Sequence, residues 1–271
     1  MGGHDMQCTQ CHVAQHHRIP GKSFSVSTGV EAGERVTCEQ CHGSSPHKDL
    51  RLNEHVAAVA CQTCHIPVMA VDTPTKLAWD WSTSGRDIPH TNAHHYMKEK
   101  GSFVYGKRVT PDYRWFDGTV ERYLAGDVID PSHPVALNAP RGSVRDAASR
   151  IYPFKIHRGK QPYDLVNRVL LVPHTIGDDG YWTTYDWKSA LEIGSKAAGI
   201  SFSGQWGFAS SEMYWPLSHM VRPGTEALQC VDCHGPNGRL DWRALGYQGD
   251  PAFEGGRRRQ GLLLPSAGGA P

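Results

Sequence analysis

The sequence has little of several things, and each shortage removes a class of protein. Lys and Arg (28) nearly balance Asp and Glu (27), and no basic run exceeds the Arg257–Arg259 triplet, so there is no broad cationic surface for nucleic acid. No apolar stretch approaches the ~20 residues that span a bilayer as a helix. Phosphate-cradling and dinucleotide-binding glycine motifs are missing, as is the Gly-x-Ser-x-Gly of a serine hydrolase. Cysteine is scarce at 8 of 271 residues, far below the ~8–10% of a disulfide scaffold. Glycine (29) and proline (18) are in excess, which indicates a loop-rich but folded chain.

The few cysteines are not scattered. Each belongs to a C-x-x-C pair followed at once by histidine: Cys8–Cys11–His12, Cys38–Cys41–His42, Cys61–Cys64–His65 and Cys230–Cys233–His234. C-x-x-C-H is the attachment signal of c-type haem. The two thiols add to the porphyrin vinyl groups, and the next histidine supplies the proximal nitrogen to iron. The competing reading is structural zinc, which takes four ligands from two such pairs and has no use for a histidine after each one. A thioredoxin-like motif occurs singly, near a βαβ pattern. The expectation is four covalently bound c-type haems.

Of the 16 histidines, twelve remain for the distal face of iron, a surplus that suits bis-histidine ligation. His17 and His47 each follow a proximal histidine by five residues, with a basic residue behind. Five residues cannot comfortably wrap a porphyrin, so both are expected to serve a neighbouring haem. His55, before the third motif, and His219, before the fourth, complete the expected distal set. His157 and His174 are reserves. His90, His94 and His95 are assigned to solvent or propionate contacts, and Met6, Met69, Met97 and Met220 rank low as ligands.

Three motifs fall within the first 65 residues and the last at Cys230. The expected organisation is a triple haem module (1–70), an aromatic-rich wrapping segment (71–229), a fourth haem motif (230–250) and a disordered tail (251–271). The expected fold is a multihaem cytochrome c, mainly α with extensive irregular loops and one or two short β-hairpins, its core built around the haems. Arg114–Tyr123 reads as a hairpin about Asp117-Gly118, and Leu165–Pro173 as a short β-prone run. Asp186–Ala198 is the best helix, with Gly199 as its stop; residues 89–100 and 210–221 are weaker helical candidates. The aromatic residues are assigned to packing, not to electron transfer.

Several stretches resemble the octahaem tetrathionate reductase family of multihaem c-type cytochromes. They are Cys61-Gln-Thr-Cys-His-Ile-Pro with Pro74-Thr-Lys-Leu-Ala-Trp-Asp-Trp, Pro153-Phe-Lys-Ile-His-Arg-Gly-Lys-Gln-Pro-Tyr-Asp164, Glu212-Met-Tyr-Trp-Pro-Leu-Ser-His219 and Ala227-Leu-Gln-Cys-Val-Asp-Cys-His-Gly235. The resemblance implies a periplasmic oxidoreductase acting on tetrathionate, nitrite or hydroxylamine. This chain corresponds to the C-terminal half, with four motifs instead of eight. The family's catalytic haem, which carries a lysine ligand, belongs to the other half, so no catalytic residue is assigned here, and Lys22, Lys48 and Lys76 carry no such role. Met1-Gly-Gly-His-Asp-Met-Gln has neither the basic nor the apolar region of an export signal, and haem attachment in bacteria takes place outside the cytoplasm. The expectation is a piece of a longer exported protein. Its partners would be the N-terminal haem segment and periplasmic or membrane-bound electron donors and acceptors, with no nucleic acid.

Overall fold

The computed structural model describes Gln7, residues 37–89 and residues 92–263. Cys8, Cys11, His12, His17 and His90 lie outside the described residues.

The expected mainly α fold is wrong. Among the described residues strand (27%) exceeds helix (20%), and the strands form one eight-stranded mixed sheet. Its axis is β7, the fifteen residues Arg150–Asp164. One edge of β7 pairs antiparallel with β8 (Trp206–Pro216) from Phe154 to Asp164. The other edge pairs with β4 (Asp112–Phe116) near its start and with β1 (Thr75–Asp80), in parallel, further along. Beyond β1 lie β3 (Gly101–Gly106) and β2 (Tyr96–Met97); beyond β8 lie β6 (Val135–Pro140) and β5 (Val120–Arg122).

The physical reason is burial on both faces. Ile151, Tyr152, Pro153 and Phe154 are all buried, a continuous run and not an alternation, as expected of a central strand covered on both sides. One face packs Ile151 against Trp115, Leu240, Leu245 and Tyr247. The opposite face packs Tyr152 and Phe154 against Ala60 and Phe116. The middle of the chain therefore has a conventional side-chain core of its own.

Three local expectations fail for related reasons. Residues 210–221 are not helical, because Ser210–Pro216 complete the long ladder of β8 on β7. Residues 92–100 form turns and β2, fixed by the Tyr96–Ser102 and Met97–Gly101 pairs. The Asp117-Gly118 turn exists, with Gly118 at φ 99° and the Asp117 carboxylate accepting from Thr119 N–H, but it does not close a hairpin. Its two arms part, β4 to β7 and β5 to β6. The Leu165–Pro173 run contributes only single bridges, at Val169 and Leu170.

The expected long helix is present at Trp187–Ala197, with the Asp186 carboxylate capping Ser189 N–H and Gly199 at φ +69° just past its end. Residues 251–263, expected to be disordered, are folded. Arg257 is buried, donates to the carbonyls of Ala57, Asp146 and Ser149, and lies 4.9 Å over the Trp115 ring.

Asp164 ends β7 as a fully buried carboxylate. It accepts from the backbone N–H of Val166, Asn167 and Ser203 and from the Ser203 hydroxyl. Burial alone would raise its pKa, but these donors outweigh burial and hold it below the ordinary carboxylate value. A depressed carboxylate contributes stability that is full above the unfolded pKa of ~3.9 and is lost as pH falls below it. Asp164→Asn turns amide hydrogens toward amide donors, a cost of about 1–3 kcal/mol at pH 7. Thermal unfolding should show this gap at pH 7 and a narrower one near pH 3.

Candidate haem sites

Three of the C-x-x-C-H segments are described, and each forms one short helical turn: α1 (Cys38–His42), α3 (Cys61–His65, following α2 at Leu50–His55) and α6 (Cys230–Cys233, with His234 as its C-cap). The helices α4 (Tyr181–Thr184) and α5 (Trp187–Ala197) precede α6 in the chain. A turn of helix sets residues i and i+3 on one side, so both thiols of a pair can meet one porphyrin edge. At α1 the Thr37 N–H donates to Gln40 Oε1, and Arg150 ties Glu39 to the start of β7 at 3.1 Å. At α3, Ala60 N–H and the buried Thr63 hydroxyl both donate to the Ile151 carbonyl. At α6, Gln229 N–H donates to the Asp232 carboxylate, and Leu228 N–H donates to the Cys64 carbonyl. Gly238 closes over this last turn so tightly that a Cβ would lie 2.3 Å from the Cys233 carbonyl oxygen. The first residues of β7 are thus the platform, α1 and α3 stand on it, and α6 is latched to α3.

The thiols report the same closeness. Cys38 is raised and Cys61 lowered to about 7, chiefly by the hydrogen bond between them. Cys64 is pushed up to about 11 and Cys233 to about 12, both mainly by burial and then by neighbouring cysteines. All six described cysteines are free of disulfides.

The histidines pair across motifs. His47 and His65 have ring centroids 6.3 Å apart with planes at 16°. His55 and His234 are 6.2 Å apart with planes at 76°. Two imidazoles on opposite faces of one metal ion, each at a metal–nitrogen distance of about 2 Å, put their centroids roughly 6 Å apart. Both pairs meet that spacing, and in both the partner lies on a different motif or segment from the proximal residue.

The rings are also held from behind. His65 Nδ1 faces the Arg222 carbonyl at 3.2 Å, His55 Nδ1 the Arg51 carbonyl at 2.7 Å, and His234 Nδ1 the Asp250 carboxylate at 2.6 Å. Each bond assigns the proton to Nδ1 and leaves Nε2 to coordinate, the usual outer support of a metal-bound histidine. His47 is fixed through its backbone instead, its N–H and carbonyl both bonded to the Asn53 amide, while its buried Nδ1 has no protein partner. A cleft of about 350 Å³ opens beside the fourth motif, lined by Cys230, Val231, His234 and Phe253, whose Val231 and Phe253 side chains are 76% and 72% exposed. Thiols, an apolar wall and a prepared imidazole fit a covalently attached porphyrin. Zinc fits less well: among the described residues no three metal-ligating side chains converge.

His219 is exposed, on the turn that follows β8. His157 is part-buried and faces the Lys76 carbonyl, with burial lowering its pKa. His174 pairs with Asp179 at 3.0 Å, and His94 and His95 are exposed. Sequence reasoning missed Asp250 and Trp242, which flank the His234 ring. The Asp250-Pro251 start of α7 (Pro251–Glu254) is a legible helix-start signal, but nothing local couples it to a histidine sixteen residues earlier.

Helical C-x-x-C-H turns joined by cross-paired histidines define a multihaem c-type cytochrome. The chain belongs to the bacterial cytochrome c family, whose model matches residues 76–237, and the family carries covalently bound c-type haem and transfers electrons through it. It is also similar to a solved structure, octahaem cytochrome c from Shewanella oneidensis, at 46% identity and a TM-score of 0.84, over 92% of this chain and 59% of that one. No curated protein matches the sequence. The chain spans less than two thirds of the length of the octahaem protein.

Proposed function

We propose that this chain is the four-haem electron relay of an octahaem oxidoreductase of the tetrathionate, nitrite or hydroxylamine reductase type, working outside the cytoplasm. In this reading the catalytic haem lies on a partner N-terminal haem segment, and periplasmic or membrane-bound proteins exchange electrons with the whole. The carrying observation is the pair of histidine couples, His47–His65 and His55–His234, each at the spacing of two ligands on one iron. The 46% identity to an octahaem cytochrome over 59% of its length supports the same reading.

When bound, each haem supplies a one-electron couple. The chain holds and separates these couples. Cys38/Cys41, Cys61/Cys64 and Cys230/Cys233 would anchor three haems beside one another, and Cys8/Cys11 a fourth. His12, His42, His65 and His234 would be proximal, with His47 opposite His65 and His55 opposite His234. His17 and His219 are the proposed distal ligands for the first two motifs. Two histidines held for one iron would leave no position for substrate, which suits a relay and not a site of bond chemistry.

The test is the holoprotein expressed with haem attachment. Four haems per chain by pyridine haemochrome, a low-spin reduced spectrum and negligible carbon monoxide binding are the expected result. Strong carbon monoxide binding would place an open, reactive haem here and overturn the relay assignment. A self-standing tetrahaem carrier is the second reading; the coding sequence upstream of Met1 separates the two, because only the first requires four more C-x-x-C-H motifs.

A further inference from the structure

Within the described histidine couples, one imidazole is bonded to a charged group; His47 Nδ1 has no protein partner. His65 and His55 each turn Nδ1 toward a neutral backbone carbonyl. His234 turns Nδ1 toward a carboxylate, Asp250 Oδ1, at 2.6 Å. That carboxylate is built in place: Oδ2 accepts from Gly235 N–H at 2.7 Å, and Oδ1 also accepts from Ala252 N–H as the cap of α7. Both side chains are largely withdrawn from water, His234 19% and Asp250 15% exposed. Trp242 stacks on the imidazole, 5.0 Å between centroids and 11° between planes, which favours the ring orientation that keeps Nδ1 on the carboxylate.

A proximal histidine bonded to an ionised acceptor is a stronger electron donor at Nε2 than one bonded to a carbonyl. The fixed negative charge close behind the ring also favours the more positive metal. Both effects stabilise ferric over ferrous iron. Resting on the relay reading above, we infer that Asp250 is a positioning residue for potential: it makes the haem on Cys230–Cys233 lower in potential than the haem on Cys61–Cys64. Electrons in this relay therefore run downhill from the fourth motif toward the third. The proteins that meet the fourth-motif face, where Val231 and Phe253 flank the cleft, would be reductants.

The two sites can be told apart in the same sample. Near-parallel imidazole planes, as at His47/His65, split the iron dπ orbitals and give a rhombic low-spin electron paramagnetic resonance signal. Near-perpendicular planes, as at His55/His234, give a strongly anisotropic one. The experiment is a reductive titration of the ferric holoprotein with dithionite, following both signals, for wild type, Asp250→Asn and Asp250→Glu. In wild type the anisotropic signal is expected to vanish after the rhombic one. Asp250→Asn keeps an acceptor but removes the charge, and should raise the ferrous-to-ferric ratio at that haem about tenfold, a shift of about 59 mV for a one-electron couple, leaving the rhombic signal in place. Asp250→Glu should restore most of the difference.

An anisotropic signal that disappears before the rhombic one in wild type overturns the inference, and this holds even if Asp250→Asn fails to retain haem. So does an Asp250→Asn protein with full haem content and an unmoved midpoint. Failure of the relay reading looks different: a wild-type protein with no low-spin haem on the fourth motif, seen before any variant is made.

Discussion

Replacing His55 with Ala should convert one haem of the holoprotein from low-spin to high-spin and create one strong carbon monoxide site per chain. The His55 ring stands 6.2 Å from that of His234, and its position is set by local structure. It is the last residue of α2, where Asp49 caps the first turn and the Arg51 carbonyl fixes Nδ1. No other described histidine ring is paired with His234, so no substitute ligand is at hand. On the proposed attachment through Cys230 and Cys233 the haem itself would remain. Optical and magnetic resonance spectra should therefore show one haem changed, with loss of the strongly anisotropic signal and not of the rhombic one. A fully low-spin spectrum in the variant would remove His55 from the ligand set. The effect is large because it is binary: an open coordination position either exists or does not.

How much of this was legible beforehand depends on whether the information is local. A C-x-x-C-H turn contains its whole chemistry in five residues, so the motif positions could be read directly. The expectation that His47 serves a neighbouring haem rested on chain length alone, and the structure places its ring 6.3 Å from that of His65 in the next motif. The supports behind the rings could not be read in this way. Arg222 meets His65 across 157 residues, and Asp250 meets His234 across sixteen; neither contact leaves a periodic trace. For residues 251–263 the expectation of disorder failed for the same reason. A Gly- and Arg-rich composition looks unfolded until Arg257 is seen to satisfy three carbonyls of distant loops.

The sheet was missed for a different physical reason. Of the stretches expected to be helical, only Asp186–Ala198 holds a long helix among the described residues, at Trp187–Ala197. The Trp206–Pro216 stretch has no strict alternation, and its burial pattern is irregular; its state is decided by the ladder it makes with β7 and not by its own propensity. That ladder in turn depends on β7, where burial on both faces erases the period-two signal over residues 151–154. The framework that carries α1 and α3 is therefore the element least visible in the sequence.

This dependence sets the size of the second effect. Phe154 is completely buried in the first third of β7, paired to Asp112 on one edge and to Pro216 on the other. Its ring packs against Phe116, Tyr152 and Tyr214 at centroid distances of 5.5, 5.6 and 6.2 Å. Phe154→Ala removes that ring from an interior where the backbone is pinned on both sides, so the cavity cannot collapse, and the cost should reach about 3–5 kcal/mol. For a chain of this size that lowers the midpoint of thermal unfolding by roughly 10 °C. Leu124→Ala, at a side chain 63% exposed, should change stability by no more than about 0.5 kcal/mol. Scanning calorimetry of the holoproteins distinguishes the two. The haem spectrum of Phe154→Ala below its transition should match wild type, because the thioether bonds and the histidine couples do not include this ring. A Phe154→Ala protein as stable as wild type would mean that the haems, and not β7, carry the fold.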